Sequence, residues 1–474
     1  MSVDAVLSSE RGLIVAPAGC GKTHLITDVL KVKPTKPYLV LTHTTAGVAA
    51  LKQRLKRLAV PNEHYRVATI DGWALKVANM FPSSCMMSAL PSNPQAFYPE
   101  LRYVVNAFIS SGHLGEIIRA SYSRLLVDEY QDCDMAQHTL INSISNILPT
   151  TVFGDPMQAI FDFRGITLPC WNQVVQTCFP QVAALEIPWR WNNAHKHELG
   201  EWLLSVRGIL IQGGSIDLQT CPGFVTWHPL TGNSRADSQN QNDTQYQLRN
   251  RNPVTDSLLI VGNSSNKESR HNFAKIARGI DVVEPVELAD VVYAASRFDA
   301  NQGIQLVEHV LDVATTMMTG VGRAQFLQRI NSIIAGRNRT LATPLELSAQ
   351  VVVEQGSRVS ILNLLHKLEQ NQDSRVYRNG AFSALKDTVT MSVSDSSKSM
   401  QEAASIIREQ RRHSGDRRIP SKAIGSTLLL KGLEADHALI LDAGNMNSKH
   451  LYVALTRGAN SVTVYSHSNV VGGG

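Results

Sequence analysis

A short apolar run, Gly12-Leu13-Ile14-Val15, passes directly into Ala16-Pro17-Ala18-Gly19-Cys20-Gly21-Lys22-Thr23 and then into a helical pattern. This order of strand, small-residue loop and helix constrains the chain more than any other stretch. Small residues let backbone N–H groups close around an anion at a helix N-terminus. Lys22 can reach the outer phosphates of a nucleotide, and the Thr23 hydroxyl can ligate Mg²⁺. Ala18, Gly19, Cys20, Gly21, Lys22 and Thr23 are therefore candidate nucleotide-binding residues.

Apolar runs alternate with helical patterns through the first 200 residues. Tyr38 to Leu41, Leu125 to Val127 and Thr151 to Phe153 are short, apolar and bounded by turn residues, as buried strands of a parallel sheet are. Between them, Val48, Leu51, Leu55 and Leu58 fall at helical spacing. Strand–helix alternation predicts an α/β fold with crossover connections. With 474 residues, the chain is too long for one ordinary core, and two to four packed units are expected. A proline-rich stretch over 76–120 reads as a small insertion, and a second α/β unit is expected from Trp191. Residues 233–256, rich in Asn, Gln, Ser and Asp, read as a mobile loop. Ser257 to Val261 reads as a buried strand. Residues 285–400 look mainly helical, over Gln305 to Met318, Gly322 to Ile334 and Arg358 to Leu368, with a polar break at Ser392 to Ser399. Strand character returns at Thr427 to Leu430, Ala438 to Leu441 and Val462 to Tyr465.

Composition narrows the classes. No apolar run reaches the roughly 18 residues that a membrane span needs. The opening residues show no basic segment followed by an apolar stretch, so no signal peptide is expected. The six cysteines, Cys20, Cys85, Cys133, Cys170, Cys178 and Cys221, form no C-x-x-C pair, which argues against zinc, iron–sulfur and disulfide frameworks. Reduced thiols in the cytoplasm are expected. A net charge of +5 permits a nucleic-acid partner without demanding one.

The second chemical anchor is Leu125-Leu126-Val127-Asp128-Glu129-Tyr130-Gln131-Asp132. Two carboxylates follow a buried strand, where α/β ligand sites lie. Asp128 is the candidate that holds Mg²⁺ through water, and Glu129 the one that orients and deprotonates an attacking water. At Gly154-Asp155-Pro156-Met157-Gln158 a further strand ends in polar residues, and Gln158 is placed to touch both the outer phosphate and the water. Phe161 and Phe163 follow, read equally well as core filling or as a stacking platform for bases.

With these segments in hand, the chain resembles the UvrD/Rep/PcrA family of superfamily 1 helicases, in a compact version. VDEYQD resembles the family's VDEFQD, and GDPMQAIFDFRG its GDxxQSIYxFRG. Leu185 to Arg190 resembles the LEQNYR segment, Lys431 to Glu434 matches KGLE, and Leu451 to Arg457 matches YVALTR. The resemblance covers nearly the whole chain and is weakest in 76–120 and 285–400. It implies two RecA-like P-loop NTPase domains with parallel sheets, each carrying a short, mostly helical insertion. On that basis 1–75 and 121–190 form the first domain with 76–120 inserted, and 191–284 and 401–474 form the second with 285–400 inserted. It further implies ATP and Mg²⁺ as cofactors, Arg190 and Arg457 as arginine fingers, and Trp189 stacked on adenine. Gly432 and Glu434 belong to the segment at the ribose or γ-phosphate edge, and Thr44, Thr69, Phe161 and Phe163 line a DNA path. The implied activity is 3′-to-5′ translocation on single-stranded DNA, or on a duplex with a single-stranded arm.

The chain departs from the family in places. Met1 to Val15 contains no Gln, so the adenine-reading glutamine is not visible. The segment Thr69-Ile70-Asp71-Gly72 has Ile70 where the family has an aromatic that packs on DNA, and Asp71 adds a negative charge there. Thr427 to Leu430 replaces a histidine-containing segment that couples DNA contact to hydrolysis. These departures leave a second reading. The chain is then a DNA-stimulated ATPase that senses DNA and switches a partner nuclease, as in anti-phage operons such as Gabija. A binding protein without turnover fits poorly, because Glu129, Gln158, Arg190 and Arg457 are all intact.

Overall fold

The computed structural model describes residues 3–90, 93–161, 167–252, 256–285, 287–414 and 420–473. Two compact units emerge, one of Met1–Pro229 with Asp442–Gly474, the other of Leu230–Leu441.

The first unit is built on six strands: β1 (Arg11–Val15), β2 (Tyr38–Thr42), β3 (Tyr65–Thr69), β4 (Leu125–Val127), β5 (Thr150–Gly154) and β6 (Gln181–Ala184). Their spatial order is β3-β2-β4-β5-β1-β6, every pairing parallel, with Val15 opposite Gly154 and Leu41 opposite Val127. The apolar runs alternate sides with period two. Leu13, Leu39, Leu125 and Val152 face one core, while Ile14, Val40, Leu126 and Phe153 face the other. Burial on both faces is why these strands read as unbroken apolar runs. Each such side chain contributes about 1.5–3 kcal/mol. A parallel sheet delivers all its C-terminal strand ends to one edge. Here that edge carries the residues after Val15, Thr42, Thr69, Val127 and Gly154, which are the segments the sequence singles out.

Helices Pro94–Ser110 and Gly115–Ser121, within the stretch read as an insertion, pack Phe97, Leu101, Val105, Ile109 and Ile118 into the same core as the sheet. The first unit also holds helix His197–Ile211, helix Ser448–Leu455, the parallel pair Val225–Pro229 and Gly458–Ser466, and the antiparallel pair Ser215–Asp217 and Val470–Gly472.

The second unit carries its own parallel strands, in the order Asp281–Val282, Lys422–Gly425, Leu258–Val261 and Ala435–Ile440. The fold is α/β with two parallel sheets, consistent with two RecA-like domains. Helices run from Ala289–Ala300 through Asn379–Ser394 and on to Met400–Ser414, around a core of their own that includes Leu306, Val310, Leu364 and Phe382. The expected polar break at Ser392 to Ser399 narrows to the link between Ser394 and Met400.

Two readings need correction. Residues 233–256, expected as a mobile loop, contain the helix Ser234–Arg249. Asn233 caps it, accepting from Arg235 N and Ala236 N at 3.1 and 3.3 Å. Asp237, Gln241, Gln245 and Leu248 lie along one buried stripe, and Gln241 Nε2 donates to the Leu441 carbonyl at 2.7 Å. Polar composition hid a helical period whose buried stripe is a carboxylate and two amides before its one leucine. Thr427–Leu430, expected as a strand, is one helical turn capped by the Ser426 hydroxyl. A four-residue apolar run cannot be told from a buried strand by periodicity.

Candidate nucleotide site

The phosphate loop leaves β1 and enters helix Lys22–Lys31 through two left-handed glycines, Gly19 at φ 70° and Gly21 at φ 87°. A Cβ on Gly21 would meet Trp189 Cδ1 at 3.0 Å, and one on Gly19 would meet Trp191 Cζ3 at 2.6 Å. The loop is therefore seated directly against Trp189, Arg190 and Trp191. The Arg190 N–H donates to the Gly19 carbonyl at 3.1 Å, and its guanidinium donates to the Thr456 carbonyl at 2.7 Å. Trp191 is buried, with its indole N–H on the Gly458 carbonyl at 2.9 Å. Trp189 is 50% exposed and leaves a ring face available beside the loop.

Lys22 points to the end of β4. Its ammonium lies 2.9 Å from Asp128 Oδ1 and also bonds Glu129 Oε1. Burial opposes the lysine charge, but Asp128 and Glu129 outweigh it and hold the ammonium above its ordinary range. Glu129 adopts left-handed backbone at φ 54°, ψ 42°, unusual for a residue with a Cβ and costing on the order of 1–3 kcal/mol. Its N–H donates to Asp128 Oδ1 at 2.9 Å, and Gln131 Nε2 donates to its Oε2. Gln131 Oε1 in turn accepts from Asp155 N at 3.2 Å, after β5. Gln158 Nε2 donates to Asp155 Oδ2 at 3.1 Å.

These residues fit ATP with Mg²⁺. Two left-handed glycines form the cradle, and a hydroxyl and two carboxylates beside it are hard oxygen donors. Among the described residues no group of three or more His, Cys, Asp or Glu stands ready to hold a metal unaided.

The other candidates distribute as follows. Ala18, Gly19, Cys20, Gly21, Lys22, Thr23, Asp128, Glu129, Gln158, Trp189, Arg190 and Arg457 all belong to the first unit, and Gly432 and Glu434 to the second. Arg457 is buried; its Nε donates to the Val453 carbonyl at 2.8 Å and its terminal nitrogen to Thr456 Oγ1 at 3.0 Å. Thr44 and Thr69 are helix N-caps, accepting from Gly47 N at 3.0 Å and Gly72 N at 2.9 Å. Phe161 is half-buried with its ring 5.5 Å from that of His43, while Phe163 lies outside the described residues. Ile70 is fully buried. The Asp71 charge is matched by Arg102, which donates to both its oxygens at 2.7 Å and also pairs with Asp134.

Residues 91–178 match the family model of the UvrD/REP helicase N-terminal domain. This stretch takes in both carboxylates after β4 and Gln158. Over 67 residues, 14% of this chain, the sequence is 36% identical to an ATP-dependent helicase/nuclease component from Leuconostoc mesenteroides subsp. mesenteroides. Over these stretches the chain is similar to UvrD-like helicases. Its match covers 5% of that relative's length. Among solved structures, the arterivirus nonstructural protein 10 helicase in complex with DNA aligns with 56% of this chain and 50% of its own, at 11% identity and a TM-score of 0.28. The match to residues 91–178 includes much of the region where the sequence resemblance is weakest to the eye. Among the described residues no helix is long and apolar enough to cross a membrane.

Sequence reading missed Arg207 and Tyr452. Arg207 donates to Asp155 Oδ1 through Nε at 3.1 Å and a terminal nitrogen at 2.8 Å. A signal existed: Leu199, Leu203, Val206 and Leu210 form the buried stripe of helix His197–Ile211, and Arg207 sits on that stripe as its charge. The Tyr452 hydroxyl accepts from Ala18 N at 3.1 Å.

Proposed function

We propose that this chain is a UvrD-like helicase, an ATP-driven translocase that acts 3′-to-5′ on single-stranded DNA or on a duplex with a single-stranded arm. The observation that carries this reading is the meeting of Lys22 with Asp128 and Glu129 at the sheet edge, beside the glycine cradle. Bound ATP and Mg²⁺ supply the phosphoryl group and the Lewis acid. Backbone N–H groups of the loop and Lys22 hold the outer phosphates. The Thr23 hydroxyl and Asp128 would hold the metal ion. Glu129 orients the attacking water and takes its proton, and Gln158 bridges that water and the γ-phosphate. Arg190 and Arg457 neutralise the charge that develops there. Trp189 stacks on the base, and Gly432 and Glu434 serve the ribose or γ-phosphate edge. Thr44, Thr69, Phe161 and Phe163 contact the strand.

The test is steady-state ATP hydrolysis by the full chain with and without single-stranded DNA, with Lys22→Ala as control. Strong stimulation that disappears in the variant is the expected result. DNA-stimulated hydrolysis that persists in Lys22→Ala would remove the loop from the reaction. Tight ATP binding with little stimulated turnover would instead favour a regulated ATPase that switches a partner nuclease.

A further inference from the structure

Asp155 is a fully buried carboxylate, and its counter-charge, Arg207, is only 15% exposed. Two charges taken out of water gain little net stability over an apolar pair of similar volume. Geometry gives a better reason to keep them. Asp155 Oδ1 accepts from Arg207 twice and from Met157 N at 3.1 Å, while Oδ2 accepts from Gln158 Nε2 at 3.1 Å. The Asp155 N–H reaches Gln131, which reaches Glu129. One carboxylate thus joins helix His197–Ile211 to both residues proposed to handle the attacking water. The phosphate loop adjoins the same cluster. Burial first, and then the Asp155 charge, push the Cys20 thiol up to about 12, so it stays protonated beside the pair. Tyr452, beside the same cluster, accepts from Ala18 N through its hydroxyl.

We propose that Arg207 is a positioning residue for ATP hydrolysis, fixing Gln158 and the Gln131–Glu129 link through Asp155. The inference rests on the reading that Gln158 and Glu129 face the γ-phosphate and the water. Arg207 touches neither, and acts by locking the carboxylate that holds them. Its planar fork makes two bonds to one oxygen and leaves the other for Gln158, an arrangement that a lysine ammonium cannot reproduce.

The experiment uses the full chain as wild type, Arg207→Lys, Arg207→Met and Asp155→Asn/Arg207→Met. Melting temperature, kcat and KM for ATP are measured with saturating single-stranded DNA. Arg207→Met strands a buried carboxylate, so its melting temperature should fall by roughly 10 °C. The double variant carries no buried charge and should recover most of that loss. If Arg207 positions Gln158, kcat in the double variant stays down by about 10²-fold while KM changes less than about threefold. Arg207→Lys should retain much of the stability and still lose roughly tenfold in kcat. A double variant or Arg207→Lys with kcat within about twofold of wild type would overturn the proposal and leave Arg207 a structural residue. A wild-type chain with no DNA-stimulated hydrolysis would overturn the underlying reading, and this inference with it.

Discussion

Replacing Lys22 with Met tests the electrostatics of the site without any nucleotide. The Lys22 ammonium is 13% exposed and lies 2.9 Å from Asp128 Oδ1, with Glu129 also in contact. At an effective dielectric of roughly 20, one such pair attracts by about 6 kcal/mol, partly offset by desolvation. Removing one partner of a buried pair costs about 3–5 kcal/mol, because the remaining charge stays buried and unmatched. The unit should therefore melt roughly 10 °C lower. Two further signs follow. Lys22 is held above its ordinary range, so its contribution in the wild type persists through neutral pH and is lost only as pH rises through that elevated value. In Lys22→Met the carboxylates face each other without a cation and share a proton more readily. Burial already raises the Asp128 carboxyl in the wild type, and losing the cation raises it further, so the variant regains more stability than the wild type as pH falls. Mg²⁺ alone can take the vacated position, and should raise the variant's melting temperature more than the wild type's. Thermal melts across pH and Mg²⁺ concentration read all three effects. A variant melting within about 2 °C of wild type, with the same pH and Mg²⁺ responses, would refute the reasoning.

Other outcomes are equally specific. Glu129→Gln should keep ATP affinity while kcat drops by about 10² to 10⁴ in single-turnover hydrolysis, and a kcat near wild type would remove Glu129 as the base. Trp189→Ala should weaken nucleotide binding by about 1–3 kcal/mol, the size of a lost base stack, with little change in melting because the ring is half exposed. Lower melting with unchanged affinity would make Trp189 a prop for the loop. In the second unit the His271 imidazole is pushed down to about 4, first by burial and then by Arg378, with Lys267 and Arg270 adding and Asp290 opposing. A histidine kept neutral by the fold gives stability that is complete above 6.5 and drains as pH falls toward 4. Urea titrations of His271→Gln should show a flatter acid loss, and an unchanged slope would assign that loss to other groups.

What was legible in the sequence was local. Strand, loop and helix around Lys22 are fixed by neighbours in the chain, and so are the carboxylates after β4. Thr44 and Thr69 carry the standard signal of an N-cap, a hydroxyl ahead of a helical run, and they use it. Helix Ser234–Arg249 was missed because its buried stripe is Asp237, Gln241 and Gln245, residues that composition alone assigns to solvent. The hydroxyl of Tyr452 could not be foreseen as a partner of Ala18, since 434 residues separate them and no periodicity links them. Arg207 lay between these cases. Its place on an apolar stripe marked it as a buried charge, but nothing in the sequence named Asp155 as its partner.

The departures at Ile70 and Asp71 take on a different meaning once the side chains are located. Read alone, an acidic residue in place of a neutral one sets a repulsive charge beside a polyanion. Arg102 neutralises that charge by binding both Asp71 oxygens, while its remaining nitrogen reaches Asp134 at the cap of helix Met135–Ser145. Burial alone would push the arginine down; Asp71 and Asp134 overcome this and raise it. Ile70, turned into the core, contributes packing rather than a surface for bases. Arg102 lies on helix Pro94–Ser110, whose Leu101 and Val105 are buried in the core of the six-stranded sheet. An acidic residue at position 71 therefore fastens this helix to the sheet edge that carries Glu129. Asp71 and Arg102 act as one unit, since either charge alone would be partly buried without its partner.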